Sequence, residues 1–187
     1  KNKEVGLAFV GDADGLGVIS SIGELIYPDM QMVLFSKDIL SKNRGSKVVF
    51  DVKCSKFLPD LIKQSNGIPI MSKTGHSFIK EAIIKESAVL GGEMSGHIFF
   101  NDRWPGFDDA IYAGARMAEL ISRQPEKEDI FCSLPKSYST PEINLKTTDD
   151  INFKFDEKFK ALSNFTDSKN IDIDACIIEI NNPTDQK

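Results

Sequence analysis

An α/β layer with crossover connections is the fold class this sequence predicts. Short β-prone apolar runs alternate with segments of helical period from Val48 to Ser122, a βαβα order that places helices against a sheet. The 187 residues are enough for one good-sized domain with flanking pieces. After Arg123 the pattern breaks, and residues 124–150, rich in Pro, Ser, Thr, Glu and Asp, read as a linker.

Val5–Val10 and Leu16–Ser20 are strand-like, joined by the tight loop Gly11-Asp12-Ala13-Asp14-Gly15, and Ser21–Glu24 reads as a second turn. Pro28 opens a helix with Asp29 in its first turn; Met30, Val33, Leu34 and Leu40 hold one face, and Asn43–Gly45 ends it. Val48-Val49-Phe50 reads as a buried strand. Ser55 starts a helix containing Phe57, Leu58, Leu61 and Ile62, where Pro59 is tolerable only in the first turn. Ile68–Met71 is the next strand, and beyond a polar loop Phe78, Ile79, Ala82 and Ile83 share one helical face. The run Ala88-Val89-Leu90 leads into a glycine-rich loop at 91–97, followed by the strand Ile98–Phe100. Trp104-Pro105-Gly106-Phe107 packs a turn. Asp108 and Asp109 begin a long helix to about Ser122, where their charge complements the dipole. Ala110, Ile111, Ala115, Ala118 and Leu120 are among its apolar residues. Farther on, 151–163 reads as a helix, Ala175–Ile180 as a strand, and Asn181–Lys187 as a frayed polar tail.

A formal net charge of −5 argues against a nucleic-acid partner, which favours a basic face. No apolar run approaches the ~20 residues of a membrane span. The start, Lys1-Asn2-Lys3-Glu4, is too polar for a signal peptide, and its lack of methionine leads us to expect a fragment or processed product. Cys54, Cys132 and Cys176 show neither a disulfide framework nor zinc spacing, so a reducing cytoplasm and buried apolar roles are expected.

Residues 91–97, Gly-Gly-Glu-Met-Ser-Gly-His, carry the most chemical information. Glycines free the backbone to turn and approach a ligand, while Glu93 accepts hydrogen bonds, Ser95 donates and accepts, and His97 donates or transfers a proton. A polyhydroxylated ligand suits that set; a glycine-rich hairpin with incidental polar residues is the alternative. Lys73-Thr74-Gly75-His76-Ser77 lies between a strand and a helix, where Gly75 permits a turn, the helix start offers N–H groups to a phosphate and Lys73 adds positive charge. An ordinary cap by Thr74 or Ser77 is compatible with that role. Lys53 follows a buried strand, at the end where ligands are often met, and Asp51 either orients it or caps the turn. Asp12-Ala13-Asp14 is a candidate loop for a hard cation. Arg103 reads as an exposed arginine within reach of phosphate.

These segments, with Asp51-Val52-Lys53-Cys54, Lys73–Lys80, Trp104–Asp109 and Leu134–Glu142, resemble the α-D-phosphohexomutases, the phosphomannomutase/phosphoglucomutase enzymes, in one register over residues 6–144. The resemblance implies a three-layer mixed sheet flanked by helices with partial neighbouring domains: 1–26 as the closing hairpin of a second domain, 27–137 as a complete sugar-binding third domain, and 138–187 as linker and the start of a fourth. It implies Lys53, His76 and His97 as catalytic residues, and Lys73, Thr74, Gly75, Glu93, Met94, Ser95 and Gly96 as substrate-binding residues. The implied substrates are mannose or glucose 1- or 6-phosphate. The implied reaction moves phosphate between those positions through a phosphoserine and a bisphosphate. The family's Asp-Gly-Asp-Gly-Asp-Arg loop holds Mg²⁺; here Val10 stands for its first aspartate and Gly15 for its arginine, leaving Asp12 and Asp14. Neither the serine-bearing segment nor the C-terminal phosphate loop of the family has a match in the chain. Two readings follow: a truncated mutase piece inactive alone, or a non-catalytic sugar-phosphate-binding or interaction module, with a degenerate relic as a third. Self-association through truncated domain edges at Val5, Leu7, Phe9 and Ile19 is a further expectation.

Overall fold

The computed structural model describes residues 5–124 and 130–135. The motif portion at 136–142, the helix expected at 151–163, the strand at 175–180, Cys176 and the tail lie outside them. The elements are β1 (Val5–Phe9), β2 (Leu16–Ser20), β3 (Leu25–Ile26), α1 (Pro28–Lys42), β4 (Lys47–Asp51), α2 (Phe57–Gln64), β5 (Ile68–Ser72), α3 (His76–Glu86), β6 (Leu90–Gly92), β7 (Ile98–Phe100) and α4 (Ala110–Ser122), then a 3₁₀ turn at Ile130–Ser133.

The first sheet is antiparallel, in the order β1-β2-β3, with Val5 opposite Ser20 and Phe9 opposite Leu16. β3 extends the expected hairpin by a strand of 2 residues, too short to show a period in sequence. The sheet docks on the rest of the unit through Gln31, whose buried side-chain amide donates to Ile26 O at 2.9 Å. Val5 and Leu7 pack against the core, while Phe9 and Ile19 stay 47% and 41% exposed, Phe9 lying along the surface at Gly114.

The second sheet has the order β5-β4-β6-β7; β4 is parallel to both β5 and β6, and β7 runs antiparallel to β6. Val48, Val49 and Phe50 are all buried because both faces of β4 are covered. Val48 and Phe50 join the large core with residues of α1, α2 and α4, whereas Val49 and Phe99 pack with Ile79 and Ile83 of α3. Period-2 alternation thus sorts side chains between two helical layers, which is the α/β/α arrangement expected. From β4 the chain goes outward through α2 to β5, then back through α3 to β6 on the other side. The carboxyl ends of β4 and β6 therefore flank a topological switch point, where doubly wound sheets open a crevice for ligand.

Several local expectations change. α1 does not hold a single apolar face: Met30, Met32, Val33, Leu34, Phe35, Ile39 and Leu40 are all buried, because α1 meets β2, α2, β6 and α4 at once. Gly91 and Gly92 are not loop residues but strand β6. Side chains there would run into Ile83 of α3 and Met32 of α1, so the glycines let helices close on both faces. Phe78 is 45% exposed, off the Ile79–Ile83 face. In α4 the buried residues are Ala110, Ala113, Gly114, Arg116, Met117 and Leu120, while Ile111, Ala115 and Ala118 face outward. Within the expected linker, the turn at Ile130–Ser133 seats Phe131 in the core. Cys132 is exposed rather than buried.

Arg116 is the buried charge that sequence patterning missed. It pairs with Asp102 at 2.8 Å and Asp38 at 3.4 Å, and its guanidinium lies 4.5 Å from the Phe100 ring centroid. Burial works against its charge, but the hydrogen bonds to Asp102 and Tyr112 outweigh that and hold its pKa above the ordinary value. Its terminal nitrogens find partners on three segments, while the buried Nε makes no hydrogen bond.

Candidate functional site

Asp51 ends β4 as a fully buried carboxylate. Its Oδ1 accepts from the Cys54 thiol at 3.0 Å and from Met94 N–H at 3.3 Å, and its Oδ2 accepts from the Thr74 hydroxyl at 3.2 Å. It therefore ties together the loops that follow β4, β5 and β6. That is more than the turn cap or lysine-orienting group the sequence proposed. Cys54 is buried as expected, yet its thiol is a donor rather than inert filler. Burial and the Asp51 charge push its pKa well up, so it stays a protonated thiol.

Glu93, 2% exposed, directly follows β6. Its Oε1 accepts from Gly75 N–H at 2.6 Å, and its Oε2 sits 3.2 Å from His97 Nδ1. Neither Thr74 nor Ser77 caps α3: the N-cap is Gly75, at φ 126, with no side-chain cap bond. The Gly75 amide, which the sequence offered to a phosphate, is engaged by Glu93 instead. A carboxylate has about four lone-pair directions, so Glu93 keeps acceptor capacity for a ligand while it braces the loops.

His97 receives Glu93 and the Ser95 hydroxyl (3.0 Å) at Nδ1, while its Nε2 faces Asp14 Oδ2 at 3.3 Å. Its ring meets the His76 ring edge-to-face with centroids 6.4 Å apart. Gly96 holds φ 104, a left-handed conformation that suits glycine, and its carbonyl accepts from Leu16 N–H at 3.1 Å. The predicted residues Thr74, Gly75, His76, Glu93, Met94, Ser95, Gly96 and His97 thus come together in one cluster. Lys53 and Lys73 are exposed nearby in sequence, on the loops after β4 and β5, and Lys73 Nζ lies 5.8 Å from the Phe78 ring centroid. Arg103 is committed elsewhere, with Glu119 at 2.5 Å.

The hairpin loop reaches the same region. Gly15 bridges to His97, and Ala13 O accepts from Ala110 N–H at 3.0 Å. Asp14, His97 and Asp108 converge, their ligand atoms all within 4.8 Å of one another. Asp12 is exposed and stands outside that group. Val10 is the reason nothing replaces the missing ligand: its methyls lie 3.2 and 3.4 Å from where a Cβ at residue 15 would stand. An apolar branched side chain fits over a glycine there, which leaves two carboxylates on the loop for a cation that gives up its waters reluctantly.

Asp109 caps α4, accepting from Tyr112 N–H at 2.9 Å, and Asp108, just ahead of the helix, also reaches another element. It pairs with Lys80 at 2.7 Å. Burial raises its pKa, yet the Lys80 hydrogen bond and charge outweigh burial and hold the carboxyl below the usual range. No signal marked Asp108 as a site residue, because its neighbours Asp14 and His97 are remote in sequence.

Comparison with known proteins agrees with this arrangement. The family model of phosphoglucomutase/phosphomannomutase α/β/α domain III matches residues 27–138. A phosphomannomutase/phosphoglucomutase of Pseudomonas syringae pv. tomato is 46% identical over 177 residues, covering 94% of this chain and 38% of the relative. A phosphoglucomutase of Neisseria meningitidis is 54% identical over 142 residues, covering 76% of the chain and 31% of the relative. A crystal structure of a phosphoglucomutase/phosphomannomutase family protein from Burkholderia thailandensis superposes with TM-score 0.86 at 41% identity, over 96% of this chain and 38% of that one. The chain thus spans less than two-fifths of the length of these relatives. With the topological switch point and its loops in the matched segment, this chain belongs to the phosphoglucomutase/phosphomannomutase family and carries its domain III.

Proposed function

We propose that this chain supplies the sugar-recognition site of a phosphohexomutase, a site that handles mannose or glucose 1- or 6-phosphate. The carrying observation is the pair of buried carboxylates, Asp51 and Glu93, that lock three loops around His76 and His97 at the switch point. Such preorganisation lets donors and acceptors meet a ligand without reordering cost. Glu93 and Ser95 receive two ring hydroxyls, with the Met94–Gly96 backbone lining the sugar. Lys73, Thr74 and Gly75 face the phosphate end, His76 and His97 move or hold a proton at the reacting oxygen, and Lys53 offsets phosphoryl charge. In the whole protein the reaction is the reversible shift of phosphate between the 1- and 6-positions, through a phosphoserine and a bisphosphate. No segment of residues 1–187 matches the phosphoserine loop, so this chain by itself is inactive. Val10 packed over Gly15 leaves only Asp12 and Asp14 on the loop, a set that fits Mg²⁺ poorly.

A second reading, a sugar-phosphate-binding module without phosphoryl transfer, is favoured by one observation: Val10 packs over Gly15 at the loop where the metal would act. Amide NMR titration with mannose 1-phosphate and glucose 1-phosphate tests both readings. Shifts centred on 73–77 and 91–97 support a working sugar site; none at millimolar ligand overturns both. Formation of glucose 6-phosphate from glucose 1-phosphate and glucose 1,6-bisphosphate by this chain alone would contradict its inactivity.

A further inference from the structure

We propose that Asp14, His97 and Asp108 form a divalent-cation site of mixed nitrogen and oxygen ligands, suited to Zn²⁺ rather than Mg²⁺. It is distinct from the Asp12-Ala13-Asp14 loop, using only Asp14 of it, and it forms without sugar; because Glu93 and Ser95 hold Nδ1 of His97, a cation on Nε2 and proton transfer by His97 are alternative states of the ring.

The ligand atoms come from separate segments: the β1–β2 turn, the loop after β6 and the approach to α4. Backbone pairing holds them in register. Gly15 bridges to His97, Phe99 bridges to Asp108, Leu16 N–H donates to Gly96 O at 3.1 Å, and Ala110 N–H donates to Ala13 O at 3.0 Å. A site fixed at this many backbone points does not need to gather its ligands from a mobile loop. The three ligand atoms lie within 4.8 Å of one another, and His97 Nε2 is 3.3 Å from Asp14 Oδ2. Ligands about 2.0–2.1 Å from a tetrahedral Zn²⁺ stand roughly 3.3 Å apart. A direct charged N–H···O⁻ bond would draw the same two atoms to about 2.7–2.9 Å.

The surroundings of His97 fit metal ligation. Glu93, itself buried, holds Nδ1 at 3.2 Å and leaves Nε2 directed at Asp14. A carboxylate on the second nitrogen is the arrangement that fixes ring orientation in carboxylate–histidine–metal sites. Asp108 gives Oδ1 to Lys80 at 2.7 Å. The side chains of Asp14, His97 and Asp108 are 33%, 23% and 14% exposed, so an ion can enter and an outer position stays open. Imidazole with two carboxylates suits Zn²⁺, whereas Mg²⁺ demands octahedral oxygen and retains its waters.

The test is Zn²⁺ titration of this chain, read on histidine ring and amide NMR signals, without sugar phosphate. The chain has 2 histidines, so His97 and His76 ring signals are separable. The expected result is a Zn²⁺-dependent His97 Nε2 shift with amide shifts at 14, 97 and 108, and no ring shift with millimolar Mg²⁺. His97→Gln and Asp108→Asn are each expected to weaken Zn²⁺ binding at least about tenfold, and Glu93→Gln by roughly 10–100-fold. Amide dispersion of each metal-free variant reports folding; if His97→Gln unfolds, Asp108→Asn decides. No Zn²⁺ response, a response unchanged in the folded variants, or one abolished by Asp12→Asn with His97→Gln silent overturns the proposal. Because no sugar is present, its failure leaves the sugar-site reading untouched, and failure of sugar binding leaves this result standing.

Discussion

Two regions of this molecule carry carboxylates beside glycines, and the fold treats them differently. Asp51 and Glu93, at the carboxyl ends of β4 and β6, are buried and accept hydrogen bonds from loops 18 to 43 residues away in sequence. Asp12 and Asp14, on the β1–β2 turn, are partly or fully exposed, and only Asp14 reaches the cluster through His97. Motif chemistry is thus not enough. A carboxylate becomes a brace when the sheet topology buries it opposite N–H and O–H donors, and remains a solvated turn residue otherwise.

The largest expected effect is at the brace. Asp51→Ala leaves the Thr74 hydroxyl and the Met94 N–H without their acceptor, and we expect a loss of about 3 kcal/mol in urea unfolding. A loss under ~1 kcal/mol would mean that the loops hold together without it. Glu93→Ala is next, at about 2 kcal/mol, with amide-exchange protection of Gly75 falling because its 2.6 Å partner is gone. Unchanged Gly75 protection would separate the sugar loop from the start of α3.

The pH dependence sharpens the same contrast. The Asp108 carboxyl titrates below its ordinary value when folded, so its contribution is present above the unfolded value near pH 4 and is lost as pH falls through the folded one. Asp108→Asn should flatten the acid limb of the stability curve by less than about 1 kcal/mol, since Lys80 is 37% exposed. An unaltered limb would show that the Lys80 pair contributes nothing. Smallest is Asp12→Ala, expected to stay within ~0.5 kcal/mol of the parent; a larger change would mean that the turn is braced after all.

The sequence by itself determined the alternation of β4, α2, β5, α3 and α4, because strand and helix periods and Pro28, Gly75 and Asp109 act within a few residues. It also marked His76, Glu93 and His97, since those polar residues sit beside glycines where a core has no use for them. Tertiary structure alone decided which glycines serve packing: Gly91 and Gly92 sit between α3 and α1, while Gly75 and Gly96 take positive φ. It also buried more than one face of α1 and paired Arg116 with Asp38 and Asp102. Most consequentially, it brought Asp108 to Asp14 and His97. These residues lie 11 or more positions apart, and only antiparallel bridges between remote segments make them neighbours. Local period and turn chemistry are written in consecutive residues; convergence of charge is set by strand order and register.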